Sequence, residues 1–179
     1  MGTNYKHFTK NGFHQVVLSN SYFNNTFKRY KDGNNSSEAN KVLDYKSTEN
    51  ESKVRYEYNL RSQSGYNISV GIAYENANYS NKTISQRVTS TGVTNDNYTT
   101  NLSINKYALF GNINKNFLDD KLIFSLGTRL DGTDYSSKTS NLLNQFSPRF
   151  AVTYNITNKF SFNFNTGRYY QLPPYSIGL

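Results

Sequence analysis

The segment KFSFNFNTGRYYQLPPY, residues 159–175, begins with a strict alternation between aromatic and polar side chains. Its three phenylalanines are separated by single polar residues, giving Phe160, Phe162 and Phe164 against Ser161, Asn163 and Asn165. Side chains on a β-strand point to opposite faces with a period of two, so the segment predicts a strand with one apolar and one polar face. Such an apolar face either covers a protein core or contacts lipid.

The same alternation occurs in pairs of segments joined by short, turn-forming sequences. The pairs are 54–60 with 66–74, 107–117 with 122–134, and 145–156 with 160–167, and their turns are expected at 63–65, 118–120 and 157–159. This pattern predicts three antiparallel hairpins. A further strand is predicted from Gly12 to Tyr30, and residues 4–9 end another, which makes about seven long strands. The connections at 33–50, 80–99 and 136–144 are long and polar, and we expect them to be loops.

Strand length and composition favour lipid over a protein core. The predicted strands have roughly 11 to 18 residues, whereas soluble strands usually have about 5–6 and a tilted transmembrane strand needs about 9–11. Hydrophobic residues make up only 35% of the chain, and no amphipathic helix or second apolar sheet is available to cover the apolar faces. The sequence therefore predicts an all-β fold, an antiparallel transmembrane β-barrel segment with about seven long strands of an incomplete barrel.

Composition also excludes several classes of function. The chain has no cysteine, which rules out disulfides, thiolate metal sites and a cysteine nucleophile. The net charge of +8 is scattered rather than clustered, so we predict no nucleic-acid partner. His7 and His14 have no acidic residue near them in sequence, and no catalytic constellation is visible. We therefore predict a protein that is not an enzyme and that needs no metal and no cofactor.

Charged and aromatic residues on the polar faces are the candidates for contact with a ligand or with a water-filled lumen. Arg129, Asp131 and Arg149 fall on the polar face of their strands. Another group lies where the last alternating segment ends, at Arg168, Tyr169 and Gln171. These six residues are the predicted lumen-facing or ligand-contacting positions.

Residues 107–135 and 146–175 together resemble the barrel domain of TonB-dependent outer-membrane receptors, particularly those of Bacteroidetes-like organisms. Three motifs carry the resemblance, and they occur in the family's order. Gly127–Asp131 (GTRLD) is similar to a Gly-x-Arg-x-Asp strand, Phe146–Arg149 (FSPR) to a Pro-Arg strand start, and Gly167–Pro173 (GRYYQLP) to a Gly-Arg…Pro strand end.

The resemblance implies a location in the outer membrane of a Gram-negative bacterium and the import of a scarce solute such as a siderophore, cobalamin or an oligosaccharide. Its implied partners are outer-membrane lipid, the solute, and the TonB complex, which such receptors contact through an N-terminal region missing from this sequence. Residues 1–179 contain no plug domain and no signal peptide, so we expect a partial barrel domain. The long connections are expected to face outside and meet the solute, and the short turns to face the periplasm.

Two alternatives remain open at the level of sequence. One is an outer-membrane β-barrel that does not transport, such as an adhesin or an assembly barrel. The other is a soluble β-sandwich that binds carbohydrate. A sandwich would have to bury the aromatic faces that a barrel leaves in contact with lipid.

Overall fold

The computed structural model describes residues 1–90 and 92–170, which form an eight-stranded antiparallel sheet in which strands adjacent in sequence are also adjacent in space. The strands are β1 (Gly2–Thr9), β2 (Gly12–Tyr30), β3 (Lys41–Arg61), β4 (Tyr66–Thr89), β5 (Gly92–Phe117), β6 (Leu122–Thr133), β7 (Phe146–Thr157) and β8 (Phe160–Gly167). Among the described residues, helical structure is limited to 3-10 turns at Lys31–Gly33, Glu38–Asn40 and Leu142–Gln145 and to the short helix α1 (Ser137–Ser140).

The all-β prediction is confirmed, and the strand count is eight rather than about seven. The strand whose end is predicted at residues 4–9 is β1, which pairs along its whole length with β2, from Gly2 opposite Ser19 to Thr9 opposite Gly12. Within the described part of the chain, no helix has the length and apolar character needed to cross a membrane.

The described residues divide into two compact units. The first, which we call the turn unit, contains residues 1–19, 52–75 and 105–170, and it includes the four short connections between paired strands. The second, which we call the hairpin unit, contains Asn20–Glu51 and Asn76–Ile104. Strands β2 to β5 each contribute residues to both units.

The register of the turn unit confirms the predicted division into two faces. Phe124 lies opposite Val152, which in turn lies opposite Phe164, and Leu126 lies opposite Phe150. Phe162 shares this face because it pairs with Tyr154. On the other face the pairs include Arg129 with Ser147, Arg149 with Gly127, and Thr153 with Asn163. The apolar residues named here therefore all lie on the face opposite to that of Arg129, Arg149 and Asn163.

Burial in the turn unit is inverted relative to a soluble sheet. Along β6 the apolar Phe124 and Leu126 are exposed, Leu126 by 57%, whereas the intervening Ser125 and Gly127 are half-buried. In the described chain the fully buried apolar residues are only Ala77, Tyr79, Ile104 and Ala108. The packed side of the sheet is therefore its polar side, and none of the residues that the structure describes covers the apolar side.

The hairpin unit buries a ladder of mostly polar side chains along β4. Ala77, Tyr79, Asn81 and Thr83 occupy alternate positions and are all buried. The Asn81 amide donates to the Tyr79 hydroxyl at 3.2 Å, and the Thr83 hydroxyl donates to the Asn81 side-chain oxygen at 2.8 Å. Buried polar groups need such partners, because an unpaired one costs about 1–3 kcal/mol.

Two of the three predicted long loops are largely strand. Residues 41–50 belong to β3, and most of 80–99 belongs to β4 and β5, whose connection lies at residues 90 and 91. The prediction failed because both faces of these segments are polar, so no apolar alternation marks them, although Thr, Val and Ile favour extended backbone. The predicted connection at 136–144 is confirmed and contains α1, which is capped by reciprocal hydrogen bonds between Ser136 and Thr139.

The predicted short turns are confirmed at 63–65, 118–120 and 157–159 to within a residue. Because neighbouring strands are antiparallel and consecutive, the connections alternate between the two ends of the sheet, and these three belong to the same end. Leu118, Asp119 and Asp120 all have φ between 53° and 64°, which makes the turn after β5 tight.

Candidate ligand site on the polar face

Arg129 and Asp131 lie two residues apart on the polar face of β6 and form an ion pair. The Nε of Arg129 donates to both carboxylate oxygens of Asp131, at 2.8 and 2.9 Å. Residues i and i+2 of a strand share a face, so the Arg-x-Asp spacing builds this pair locally. Both side chains are about one-third exposed, 34% for Arg129 and 29% for Asp131.

An aromatic ring lies between two guanidinium groups on this face. The guanidinium carbon of Arg55 is 4.5 Å from the centre of the Phe110 ring, and that of Arg129 is 5.8 Å from it. Arg55 also pairs with Glu57 on its own strand. A cation over a ring face is stabilised by about 0.5–1 kcal/mol where exposed and more where water is excluded.

Gly71 makes room for the Phe110 ring. A Cβ at Gly71 would overlap this ring and would lie 2.5 Å from the carbonyl oxygen of Tyr56. The local sequence of β4 therefore permits the aromatic residue of β5 to lie flat across the polar face, within reach of Arg55.

Arg149 is flanked by glycine on both neighbouring strands. It pairs with Gly127 on β6 and with Gly167 on β8, so neither neighbour presents a side chain beside it. The guanidinium lies over the ring of Tyr169 at 4.8 Å. Arg149 forms no ion pair or hydrogen bond through its side chain with residues 1–90 or 92–170.

These groups surround one open cavity of about 430 Å³. Its lining includes Arg55, Phe110, Arg129, Arg149 and Tyr169. Phe150 and several small, hydroxyl-bearing or amide residues complete the lining. A second cavity of about 300 Å³ shares Arg55 and Arg129 with the first and contains Asp131. In that cavity Glu75 pairs with Lys106 at 2.7 Å and with Lys53 at 3.1 Å.

The structure brings together some of the predicted site residues and not others. Arg129, Arg149 and Tyr169 line the 430 Å³ cavity, and Asp131 is held against Arg129 beside it. Arg168 is not part of this lining, and its guanidinium lies over Tyr170 at 4.7 Å. Gln171 lies outside the described residues.

Phe110 is the residue that sequence reasoning missed. Its neighbours on the polar side of β5 are Ala108 and Asn112, so a phenylalanine at this position breaks the alternation of YALFGNINKNF. An aromatic residue at a polar-face position of an otherwise regular strand was the available signal. On this polar face the Phe110 ring is accommodated by its contacts with the guanidinium groups of Arg55 and Arg129.

Asp134, just beyond β6, is held by Asn105. The Asn105 side-chain amide and backbone N–H donate to the two Asp134 carboxylate oxygens, at 2.6 and 2.8 Å. These hydrogen bonds lower the pKa of Asp134 below its ordinary value. The contact fixes the start of the connection to β7 but lies outside the cavity lining.

No group of three or more histidine, aspartate or glutamate side chains suited to a metal ion occurs within the part of the chain that the structure describes. The chemistry of the site is therefore that of guanidinium groups, amides and aromatic rings. Such groups bind a solute by charge, hydrogen bonding and stacking.

Comparison with known protein families gives a match that extends over nearly the whole sequence. The model of the family described as "TonB dependent receptor-like, beta-barrel" matches residues 1–178. No curated protein is significantly similar to the chain. The match says nothing of Bacteroidetes in particular, so that part of the resemblance has no support from it.

Proposed function

Because the chain belongs to the TonB-dependent receptor-like β-barrel family, whose members are outer-membrane transporters of Gram-negative bacteria and not enzymes, we propose that it is part of a receptor that imports a scarce solute. The solute is a siderophore, cobalamin or an oligosaccharide. Residues 1–179 act as part of the barrel wall, and the contact with the TonB complex is made by a part of the receptor outside these residues.

The observation that carries the proposal is the inverted burial of the turn unit. On β6 the apolar Phe124 and Leu126 are exposed, whereas the charged Arg129 and Asp131 are half-buried, and β6 and β7 have 12 residues each. About 9–11 residues are enough for a tilted strand to cross the hydrocarbon core. Alternation of this kind matches strands that face lipid on one side and a polar lumen on the other.

The polar face supports the receptor part of the proposal. Arg129, Arg149 and Tyr169 form a ligand-contacting region in the lumen wall, and Asp131 orients Arg129 through its ion pair. Arg168 and Gln171 remain candidates at the end of β8, by resemblance alone. The hairpin formed by the outer parts of β4 and β5 is the second region offered to the solute, through its Asn, Ser and Thr side chains.

Growth of a bacterial host that lacks its own receptors tests the proposal. The full-length gene is expressed in strains with and without a working TonB, and each of the three solute classes is supplied as the only source of its nutrient. We expect one class to support growth only where TonB works. If the protein reaches the outer membrane in folded, heat-modifiable form and no class supports TonB-dependent growth, import is excluded for these solutes.

A deletion within the β4–β5 hairpin tests whether this hairpin contributes to solute binding independently of barrel assembly. Removing residues 84–96, at the tip of the β4–β5 hairpin, should reduce solute binding and leave heat-modifiable migration unchanged, because the turn unit is untouched. A deletion that impairs assembly but leaves uptake unchanged in the receptor that still folds would show that the hairpin is structural and does not contact the solute.

A further inference from the structure

We infer that the arginine-lined cavity of the turn unit binds a small polyanion with a planar, unsaturated part, and specifically one bearing several carboxylates. The inference rests on the proposed function, since it names the chemical class of the imported solute. It is carried by three features of the cavity: its charge balance, the glycines beside Arg149, and the two aromatic rings.

The charge balance leaves positive charge without a partner. Three guanidinium groups line or border the cavity, and two carboxylates, Glu57 and Asp131, each pair with one of them. Arg149 has no carboxylate partner among the described residues. Arg129 meets Asp131 through Nε, so its two Nη groups remain available. An unpaired guanidinium in a partly enclosed cavity attracts an anion, and its planar fork suits a carboxylate.

The space beside Arg149 is kept open by the backbone. A Cβ at Gly167 would lie 3.2 Å from the Arg149 side chain and 3.2 Å from the Tyr169 hydroxyl, and one at Gly127 would lie 3.7 Å from the Arg149 Cβ. Neither strand next to Arg149 therefore covers its guanidinium. The Tyr169 ring lies over the guanidinium, and the β6 and β8 positions paired with Arg149 add no side chain that a ligand carboxylate would have to displace.

Two aromatic rings accompany the arginines. Phe110 and Tyr169 belong to the lining of the same cavity, and each lies against a guanidinium group, at 4.5 Å for Arg55 on Phe110 and 4.8 Å for Arg149 on Tyr169. Rings and guanidinium planes both stack on flat unsaturated groups. The guanidinium groups of the cavity can thus bind the carboxylates of a ligand, and its aromatic rings can stack on the planar core that bears those carboxylates.

Binding of benzene-1,3,5-tricarboxylate to the full-length receptor in detergent tests the inference. The neutral benzene-1,3,5-tricarboxamide has the same shape and is the control probe. We expect the tricarboxylate to bind measurably by calorimetry, the tricarboxamide to bind at least about tenfold more weakly, and the affinity to fall with salt.

Variants of Arg149 and of one cation away from the cavity make the test specific. Arg149→Gln should weaken tricarboxylate binding about tenfold or more, and Arg149→Lys should weaken it less because the charge is kept. Lys159→Gln, in the turn between β7 and β8 and outside the cavity lining, should change it less than about twofold. Absence of tricarboxylate binding, or equal binding of the two probes, overturns the polyanion inference. The inference is also overturned if Arg149→Gln lowers the stability of the receptor when no probe is present. Arg149 would then bind another segment of the protein rather than a ligand.

The measurement does not depend on transport. A receptor that supports TonB-dependent growth but fails to bind the tricarboxylate refutes the polyanion and leaves import standing. A receptor that binds the tricarboxylate through Arg149 but supports no such growth refutes import and keeps the anion site.

Discussion

Strand β4 runs through both units, and the side chains of its outer face change in character along its length. In the turn unit its outer face carries Val70, Ile72 and Tyr74, which are exposed by 47–56%. In the hairpin unit the same alternate positions carry Asn78 and Lys82, which are exposed and polar. The outer face of the strand is therefore apolar in the turn unit and mostly polar in the hairpin unit, where Ile84 is an exposed apolar exception.

The inner face of β4 does not change in the same way. Gly71 is buried in the turn unit, and Ala77, Tyr79, Asn81 and Thr83 are buried in the hairpin unit. Side chains of the inner face are small or polar throughout. The residue types of the outer face of β4 thus follow the medium that surrounds the strand, whereas those of the inner face follow packing within the protein.

The outer faces of the neighbouring strands β3 and β5 also change from polar to apolar where these strands pass from the hairpin unit to the turn unit. On β3 the outer positions are Lys46 and Thr48 in the hairpin unit and Val54 and Tyr56 in the turn unit. We place the outer limit of the hydrocarbon at this change of composition. On β4 the limit falls just after Tyr74, and on β5 it falls just before Tyr107, where a tyrosine is well suited to the interface.

A charge placed on the outer face should have the largest effect, and its size should differ between the units. Leu126→Arg should destabilise the folded receptor in a lipid bilayer by about 2–4 kcal/mol, because an arginine near the hydrocarbon midplane is costly. Ile84→Arg, in the hairpin unit, should change stability by less than about 0.5 kcal/mol, as surface substitutions usually do. Urea titration of folding into bilayers measures both. Equal effects of the two substitutions would abolish the distinction between the units.

A smaller effect is expected at a packed position on the inner face. Gly71→Ala should cost about 1–3 kcal/mol, because the added methyl group overlaps Phe110 and the Tyr56 carbonyl. Gly111→Ala is the matched control, because its Cβ would find no atom closer than 3.7 Å. The same urea titration compares them. If Gly71→Ala were as mild as Gly111→Ala, Phe110 would not be packed as described, and the ligand cavity would lose one wall.

The smallest effect concerns the connection between β2 and β3 in the hairpin unit. Lys41 pairs with Glu38 at 2.6 Å and with Asp44 at 2.8 Å, and hydrogen bonds from Lys41 lower the pKa of both carboxyls. A carboxyl whose pKa is lowered by folding adds stability above its unfolded pKa, near 4, and this is lost as the pH falls through the lowered value. Order in the connection should therefore be constant above about pH 5 and decline below about pH 4.

Fluorescence anisotropy of a dye on Ser36→Cys reports this change. The anisotropy should drop on acidification in the otherwise native protein. In a Lys41→Gln background it should start low and vary little with pH. An anisotropy that is independent of pH in both proteins would mean that the ion pairs do not order the connection.

Alternation was enough to predict the faces of the turn unit. Leu126 and Phe150 on one side and Arg129 and Arg149 on the other follow from a period of two, because lipid and lumen differ strongly in polarity. The strands of the hairpin unit could not be found in this way, since Asn78 and Lys82 on one face and Asn81 and Thr83 on the other give no contrast. Their pairing is visible only when the partner strands are present.

The candidate site was predictable in part. Arg129 and Asp131 are neighbours on one strand, so spacing alone places them together. The approach of Arg55, Phe110 and Tyr169 depends on the register of strands far apart in sequence, and on glycines that leave space for rings. A single strand contains neither kind of information.

The central claim, that β4 passes from lipid into water between Tyr74 and Asn78, can be tested on a chain that has no native cysteine. Nitroxide labels are placed on the outer face at Ile72→Cys and Lys82→Cys of the receptor in bilayers, and their collisions with oxygen and with a water-soluble nickel chelate are measured. The label at 72 should collide mainly with oxygen, which concentrates in hydrocarbon, and the label at 82 mainly with the nickel chelate. Preferential collision with the nickel chelate at both positions would contradict a lipid-facing turn unit.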